Sequence, residues 1–138
     1  MTDNSKNLSE EEIFLAELEK KNFKKYLNKL LKKLKDKKII IYGAGNYFKV
    51  IKNHYDISKL NIIAISDRKY ETNPIDNFEG YKAIEPDKII NYEPDYVLIA
   101  TRYYCLEIAM SLISKFAGTN IKVKPLTPKN IIELLRGV

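Results

Sequence analysis

The segment Ile39-Ile40-Ile41-Tyr42-Gly43-Ala44-Gly45-Asn46-Tyr47-Phe48 constrains this chain more than any other. A β-branched run predicts a strand at Lys38–Tyr42, and the residues after the glycines predict a helix over Asn46–His54. A second apolar strand is expected at Asn61–Ser66 and is followed at once by Asp67. Glycine at 43 permits a tight turn out of the strand. Glycine at 45 lets a ligand approach the backbone with no Cβ in the way. The amides of Asn46 and Tyr47 then lie at a helix N-terminus, where free N–H groups and the helix dipole favour an anion. Asp67 stands 22 residues after Gly45, where an acid accepts hydrogen bonds from ribose hydroxyls in a dinucleotide site.

The rest of the chain continues the alternation. A polar stretch spans 68–79, a short third strand is expected at Tyr81–Ile84, and a short helix with Pro86 in its first turn at 85–91. A fourth strand follows at 96–100, a long amphipathic helix at 103–116, a fifth strand at 121–123 and a final helix at 128–135. Continuous apolar strands between helices indicate a parallel sheet covered on both faces. Right-handed crossovers leave the order 3-2-1-4-5. The expected fold is therefore a three-layer α/β domain of the Rossmann type over residues 37–138 with five parallel strands.

Two segments precede it. Residues 1–8 are polar and expected to be disordered. Ser9 and Glu12 form a capping box that starts a helix near Glu10. Phe14, Leu18, Phe23, Leu27, Leu30, Leu31 and Leu34 then recur at helical spacing, with Asn22 marking a break into a hairpin of two shorter helices. This lysine-rich segment, 9–36, carries a stripe that can pack on its own domain, pair two copies as a homodimer, or join a catalytic partner.

The net charge of +6 and the pI near 9.2 concentrate in it. Ten lysines lie between positions 20 and 38, against one acid, Asp36. Arginine, the usual reader of bases and bidentate partner of phosphate, is almost absent there. The pattern is that of a solvated helix face, and nucleic acid is not the expected partner. No apolar run approaches the roughly 20 residues of a membrane span, and the first residues lack the pattern of a secretory signal. The chain reads as cytoplasmic. A single cysteine, Cys105, and a single histidine, His54, leave no multi-cysteine or histidine metal site.

A catalytic set is not evident, so the sequence leaves open whether the chain is an enzyme. Tyr55 and Lys59 have a YxxxK spacing but fall between the first two strands, away from the ligand edge. Cys105 follows the fourth strand at that edge, with no general base beside it, and reads as a small buried residue. His54 reads as a group closing the C-terminal end of its helix. Arg68 and Arg102, two of three arginines, each follow a strand whose end faces the crevice, and either meet a phosphate or form surface ion pairs. Ala100 and Thr101 share that edge, and Tyr47 and Tyr103 are candidates to stack on a base or sugar. Phe48 stands where the third glycine of GxGxxG belongs. It is expected to push the helix away or to occlude part of the pyrophosphate path, which disfavours a tightly held NAD.

These residues resemble a known group. Gly43-Ala44-Gly45 followed by Lys49-Val50-Ile51, then Ile63-Ala64-Ile65-Ser66-Asp67, is similar to the Rossmann-like domains of bacterial nucleotide-sugar enzymes. So are Gly80-Tyr81-Lys82-Ala83-Ile84, a glycine before a short strand, and Pro94-Asp95 before Tyr96-Val97-Leu98-Ile99-Ala100. The relatives are the N-terminal domain of sugar O- and N-acetyltransferases, the nucleotide-binding domain of polysaccharide-type dehydratases, and the C-terminal domain of sugar C-methyltransferases, with Glu107-Ile108 matching the last. The resemblance covers residues 37–125. It implies binding of a UDP-sugar, another nucleotide-sugar or NAD(P) in surface polysaccharide biosynthesis. It does not imply catalysis, since neither a hexapeptide-repeat helix nor a methyl-transfer domain is present. The nucleotide-binding set expected from the residues and this likeness is Gly43, Ala44, Gly45, Asn46, Tyr47, Phe48, Asp67, Arg68, Ala100, Thr101 and Arg102. Two other classes stay open: an S-adenosylmethionine-dependent methyltransferase fragment, although Ile41 and Tyr42 stand where that fold carries an acid, and a ligand-free interaction module.

Overall fold

The structure, a computed structural model, describes residues 8–129. The final helix expected at 128–135 falls almost wholly outside them.

The capping box starts the first helix as its residues dictate. The Ser9 side chain accepts from the Glu12 amide and the Glu12 carboxylate accepts from the Ser9 amide, both at 3.1 Å. Helix α1 runs Glu10–Lys20 and α2 runs Phe23–Lys33. Between them Asn22 takes a left-handed conformation, φ 53°, which asparagine tolerates better than most residues. Phe14 and Leu18 of α1 and Phe23, Leu27 and Leu30 of α2 are buried, while the lysines of α2 face outward.

Strands β1 (Lys38–Tyr42), β2 (Asn61–Ser66), β3 (Asn77–Phe78), β4 (Tyr81–Ile84), β5 (Tyr96–Ile99) and β6 (Lys122–Pro125) form one sheet in the order β3-β4-β2-β1-β5-β6. All neighbours pair parallel except β3 with β4. The sheet thus has six strands rather than five. The added strand lies in the stretch that reads as a polar loop. It is only two residues long, too short to show alternation, and joins β4 through a turn in which Glu79 and Gly80 both take positive φ, 50° and 85°. Two such residues suit the tight turns that match strand twist.

Alternation along the strands sends side chains to two faces. Ile39, Ile41, Ile65 and Leu98 join a core with α1, α2 and α3 (Asn46–His54). Ile40, Ala64, Val97 and Ile99 join a second core with α4 (Cys105–Lys115) and with the 3-10 helix Pro86–Tyr92. The stripe of the N-terminal segment is consumed by the first core: Phe14, Leu18, Phe23, Leu27, Leu30 and Leu34 pack with β1 and β5. Tyr26 ties α2 to the far edge by donating to the carbonyl of Pro125 at 2.7 Å. Burial pushes its hydroxyl up to about 12.

The long helix begins two residues later than its periodicity suggests. Tyr104 is left-handed, φ 60°, so the backbone turns before Cys105 rather than coiling through it. Among the described residues no helix is long and apolar enough to cross a membrane.

Candidate functional site

Chain order and strand order part company between β1 and β5. From β1 the chain crosses by α3 to β2 on one side, and it later returns to place β5 on the other. The carboxyl ends of parallel strands diverge at such a reversal and leave a crevice, the usual ligand site of open α/β sheets. Two structures meet along this edge here.

The first is the glycine loop. Gly43 has φ +121°, and a Cβ built on it would stand 2.7 Å from the Ala100 carbonyl oxygen and 3.0 Å from Thr101 Cγ2. Its missing side chain is therefore spent on close approach of β1 to the end of β5, within the protein. Gly45 differs: its Cβ would meet nothing within 4 Å. Ala44 is fully buried, and its amide donates to Asp67 Oδ2 at 2.8 Å. Asp67 Oδ1 accepts from the Lys69 amide at 3.0 Å. The Lys69 ammonium donates to the Ala44 carbonyl, so loop and acid are clamped together from both sides. Lys69 is invisible to motif reasoning, because its part depends on a 3-10 turn (Arg68–Glu71) inside the expected loop.

The N-terminal helix lies beside this loop, on Asn46, Tyr47 and Arg102. Asn46 donates its side-chain amide to Glu10 Oε1 at 2.9 Å. Tyr47 is buried with its ring edge-on to Phe14 at 5.2 Å, and its hydroxyl reaches Thr127 Oγ1 at 3.3 Å. It is committed to the core and does not offer a face for stacking. Arg102 forms a two-pronged pair with Glu17, Nε donating to Oε2 at 2.8 Å and Nη2 to Oε1. Its guanidinium lies 5.3 Å from the Phe14 ring centre and 4.7 Å from that of Tyr103. Arg102 thus takes the ion-pair alternative, and its hydrogen bond holds the Glu17 carboxyl below the usual carboxylate range. Phe48 does not line the crevice. It is fully buried, with Phe78 and Tyr81 of the hairpin at 6.5 and 6.1 Å. The third glycine is replaced by a ring because β3 and β4 make room for one.

The second structure is a cleft of about 790 Å³ on the α4 side. Its sheet wall is Tyr42, Asp67, Arg68 and Thr101, and its helix wall is Tyr104, Glu107, Ile108, Ser111 and Lys115. Glu71 and Pro86 also line it. The helix wall follows from spacing, since 104, 108, 111 and 115 share one side of a helix. The expected site residues that meet here are Asp67, Arg68 and Thr101, and sequence reasoning missed Tyr42, Glu71 and the α4 wall. Burial, and then the charges of Asp67 and Glu71, raise the Tyr42 hydroxyl above its ordinary value and keep it a donor. Thr101 Oγ1 and Ser66 Oγ are buried without a hydrogen-bond partner among the described residues. Such atoms are uncommon, since an unpaired buried hydroxyl costs about 1–3 kcal/mol.

The remaining candidates sit elsewhere. Cys105, the first residue of α4, is buried and its thiol is pushed up by that burial, which suits packing rather than nucleophilic attack. Tyr55 packs on Phe23 at 4.7 Å, and Lys59 stands beyond it, before β2 and away from the carboxyl edge. His54, in the last turn of α3, meets Glu11 Oε2 at 2.5 Å. Among the described residues no three His, Cys, Asp or Glu side chains group closely enough to hold a metal ion.

The family model of the C2185-like proteins, N-terminal domain, matches residues 35–122, and the chain belongs to that family. The match spans β1 to the start of β6 and leaves α1 and α2 outside. No curated protein and no solved structure matches the chain.

Proposed function

We propose that this chain is a Rossmann-like domain that binds a nucleotide or nucleotide-sugar, with the nucleoside in the α4 cleft and the phosphates directed toward the glycine loop. The observation that carries the reading is the meeting of Tyr42, Asp67, Arg68 and Thr101 in one cleft where the strand order reverses, next to a helix N-terminus. Each group suits a nucleoside. Asp67 has lone pairs left for ribose hydroxyls beyond the two amides it accepts. Thr101 Oγ1 is an unpartnered hydroxyl, Tyr42 is a donor, and the Ile108 and Tyr104 side chains supply apolar area for a base. Taken with the resemblance in the glycine loop and the strand ending in Asp67, a UDP-sugar or NAD(P) is the ligand class, in a role connected with surface polysaccharide biosynthesis. The residues of the cleft suit binding, and a complete catalytic set is not evident among the described residues.

A thermal-shift panel of UDP-sugars, other nucleotide-sugars, NAD(H), NADP(H) and S-adenosylmethionine tests this, because a ligand selective for the folded state raises the melting temperature. The expected result is a shift with one nucleotide class that Thr101→Val and Arg68→Gln each reduce. No shift with any compound, or shifts indifferent to both substitutions, would sink the proposal and leave the interaction-module alternative. That alternative draws on one observation, the carboxylates of α1 already seated on Asn46 and Arg102.

A further inference from the structure

Helix α1 touches the ligand edge through one face. Glu10, Phe14 and Glu17 stand at i, i+4 and i+7, so they share a side of the helix across about 10 Å. Each engages a residue that a nucleotide in this fold would use. Glu10 holds the side chain of Asn46, the first residue of α3. Phe14 lies edge-on to Tyr47 and under the guanidinium of Arg102. Glu17 takes Arg102 in a two-pronged pair, the geometry in which arginine also takes a phosphate. The Glu10 carboxylate thus lies beside the positive end of the α3 dipole, through the side chain of its first residue. The residues of α1 lie outside the stretch that the family model matches.

We infer that α1 is a strap whose Glu10 and Glu17 carboxylates occupy the phosphate positions of the site, so that a nucleoside enters the α4 cleft freely while a nucleoside diphosphate must displace the strap. The inference rests on the nucleotide reading above and concerns how that site is regulated. It accounts for the contrast in charge along the edge. The cleft carries Asp67, Glu71 and Glu107 against Arg68 as its exposed cation, with Lys115 already paired to Asp87. That balance welcomes hydroxyl donors and offers little to a diphosphate. Of the groups that would compensate a diphosphate, α1 engages Arg102 and the side chain of Asn46 at the start of α3.

The test uses the full chain and isothermal titration with two matched pairs of probes, uridine with UDP and adenosine with ADP. The double substitution Glu10→Gln, Glu17→Gln is compared with wild type, and Glu19→Gln, an exposed acid on another side of α1, controls for the charge of the helix. The expected result is a diphosphate affinity at least tenfold tighter in the double variant, with the matched nucleoside and the Glu19→Gln protein each within twofold of wild type. Hydrogen exchange on wild type gives an independent readout: α1 amides exchange faster with saturating diphosphate and unchanged with nucleoside. Diphosphate binding that the double substitution leaves unaltered, with α1 exchange also unaltered, overturns the strap and keeps the nucleotide reading. Failure of every probe to bind wild type and variants alike overturns both.

Discussion

The carboxyl edge of this sheet has two halves built on opposite terms. On the α1 side the side chains of Asn46 and Arg102 are engaged by Glu10 and Glu17, and Asp67, shared with the cleft, accepts from the Ala44 and Lys69 amides. On the α4 side a cleft of about 790 Å³ stays open, and Thr101 Oγ1 at its sheet wall has no partner among the described residues. A motif reports only that a backbone is shaped for a ligand. Whether the shape is free depends on what packs over it, and here a helix far upstream in the chain decides that. The two halves make different demands on substitution, and four experiments separate them.

The largest effect is expected at Gly43. Its φ of +121° is unfavourable for any L side chain, and a Cβ would collide with backbone at 2.7 Å rather than with a flexible tip. Gly43→Val is expected to destabilise the fold by about 3 kcal/mol or more, combining backbone strain with a steric clash. Urea unfolding followed by circular dichroism measures it. A loss below about 1 kcal/mol would show that β1 and β5 do not need this contact, and the loop would then be free to serve a ligand alone.

Next in size is the tie between α2 and the far strand. Tyr26→Phe removes the donor to the Pro125 carbonyl and is expected to cost about 1 kcal/mol. The hydroxyl also sets an alkaline limit. Its folded value is raised to about 12 by burial, against an ordinary 10 in the unfolded chain. Stability is therefore unaffected below about pH 10 and falls as pH rises toward 12, because the unfolded chain releases its proton first. Tyrosinate absorbance during alkaline unfolding is expected to show a smaller drop in stability over this window for Tyr26→Phe than for wild type.

Much of this architecture could be read from the residues, and the limits have physical causes. The capping box, the helix Asn46–His54 and the strands Lys38–Tyr42, Asn61–Ser66 and Tyr81–Ile84 rest on local patterns, and the observed elements have those bounds. The strand β3 escaped notice because two residues carry no period. At the site, Asp67, Arg68 and Thr101 were legible because they follow strands, and strand ends share an edge. Tyr42 was not, since its side of the sheet depends on pleat direction at the last strand residue. The fates of Tyr47 and Arg102 depend on α1, whose partner surface lies 30 or more residues away in sequence. An amphipathic stripe says that a helix is covered and does not say by what.

A smaller effect is expected from acid on the α1 half. Hydrogen bonding from Arg102 lowers the Glu17 carboxyl relative to the unfolded chain. A lowered acid contributes stability above its unfolded value, ordinarily near 4.5, and the contribution is lost as pH falls through its folded value. Both partners are partly exposed, at 24% and 35%, so solvent screens the pair and the contribution is modest. The protection factors of α1 amides, exchange rates corrected for the intrinsic pH dependence, are expected to fall between about pH 5 and acid in wild type. Glu17→Gln, which has no charge to lose, is expected to start less protected and change less. Equal slopes in the two proteins would mean that the pair does not hold the strap.

The smallest effect on folding is expected at Gly45, and it sharpens the comparison most. A Cβ there meets nothing within 4 Å, and its backbone is extended, with φ −133°, a conformation open to any residue. Gly45→Ala is therefore expected to change stability by no more than about 0.5 kcal/mol. Two glycines two positions apart would then differ several-fold in cost, for three carbons added at one and a single carbon at the other. Packing within the chain explains Gly43 completely and leaves Gly45 without a structural duty. If a ligand's phosphates approach the loop, the methyl group of Gly45→Ala stands in their path while the cleft keeps its nucleoside contacts. Diphosphate binding would weaken and nucleoside binding would hold, at unchanged stability. If instead both classes of ligand bind the variant as they bind wild type, the loop half of the edge is a closed seam and only the cleft is a site.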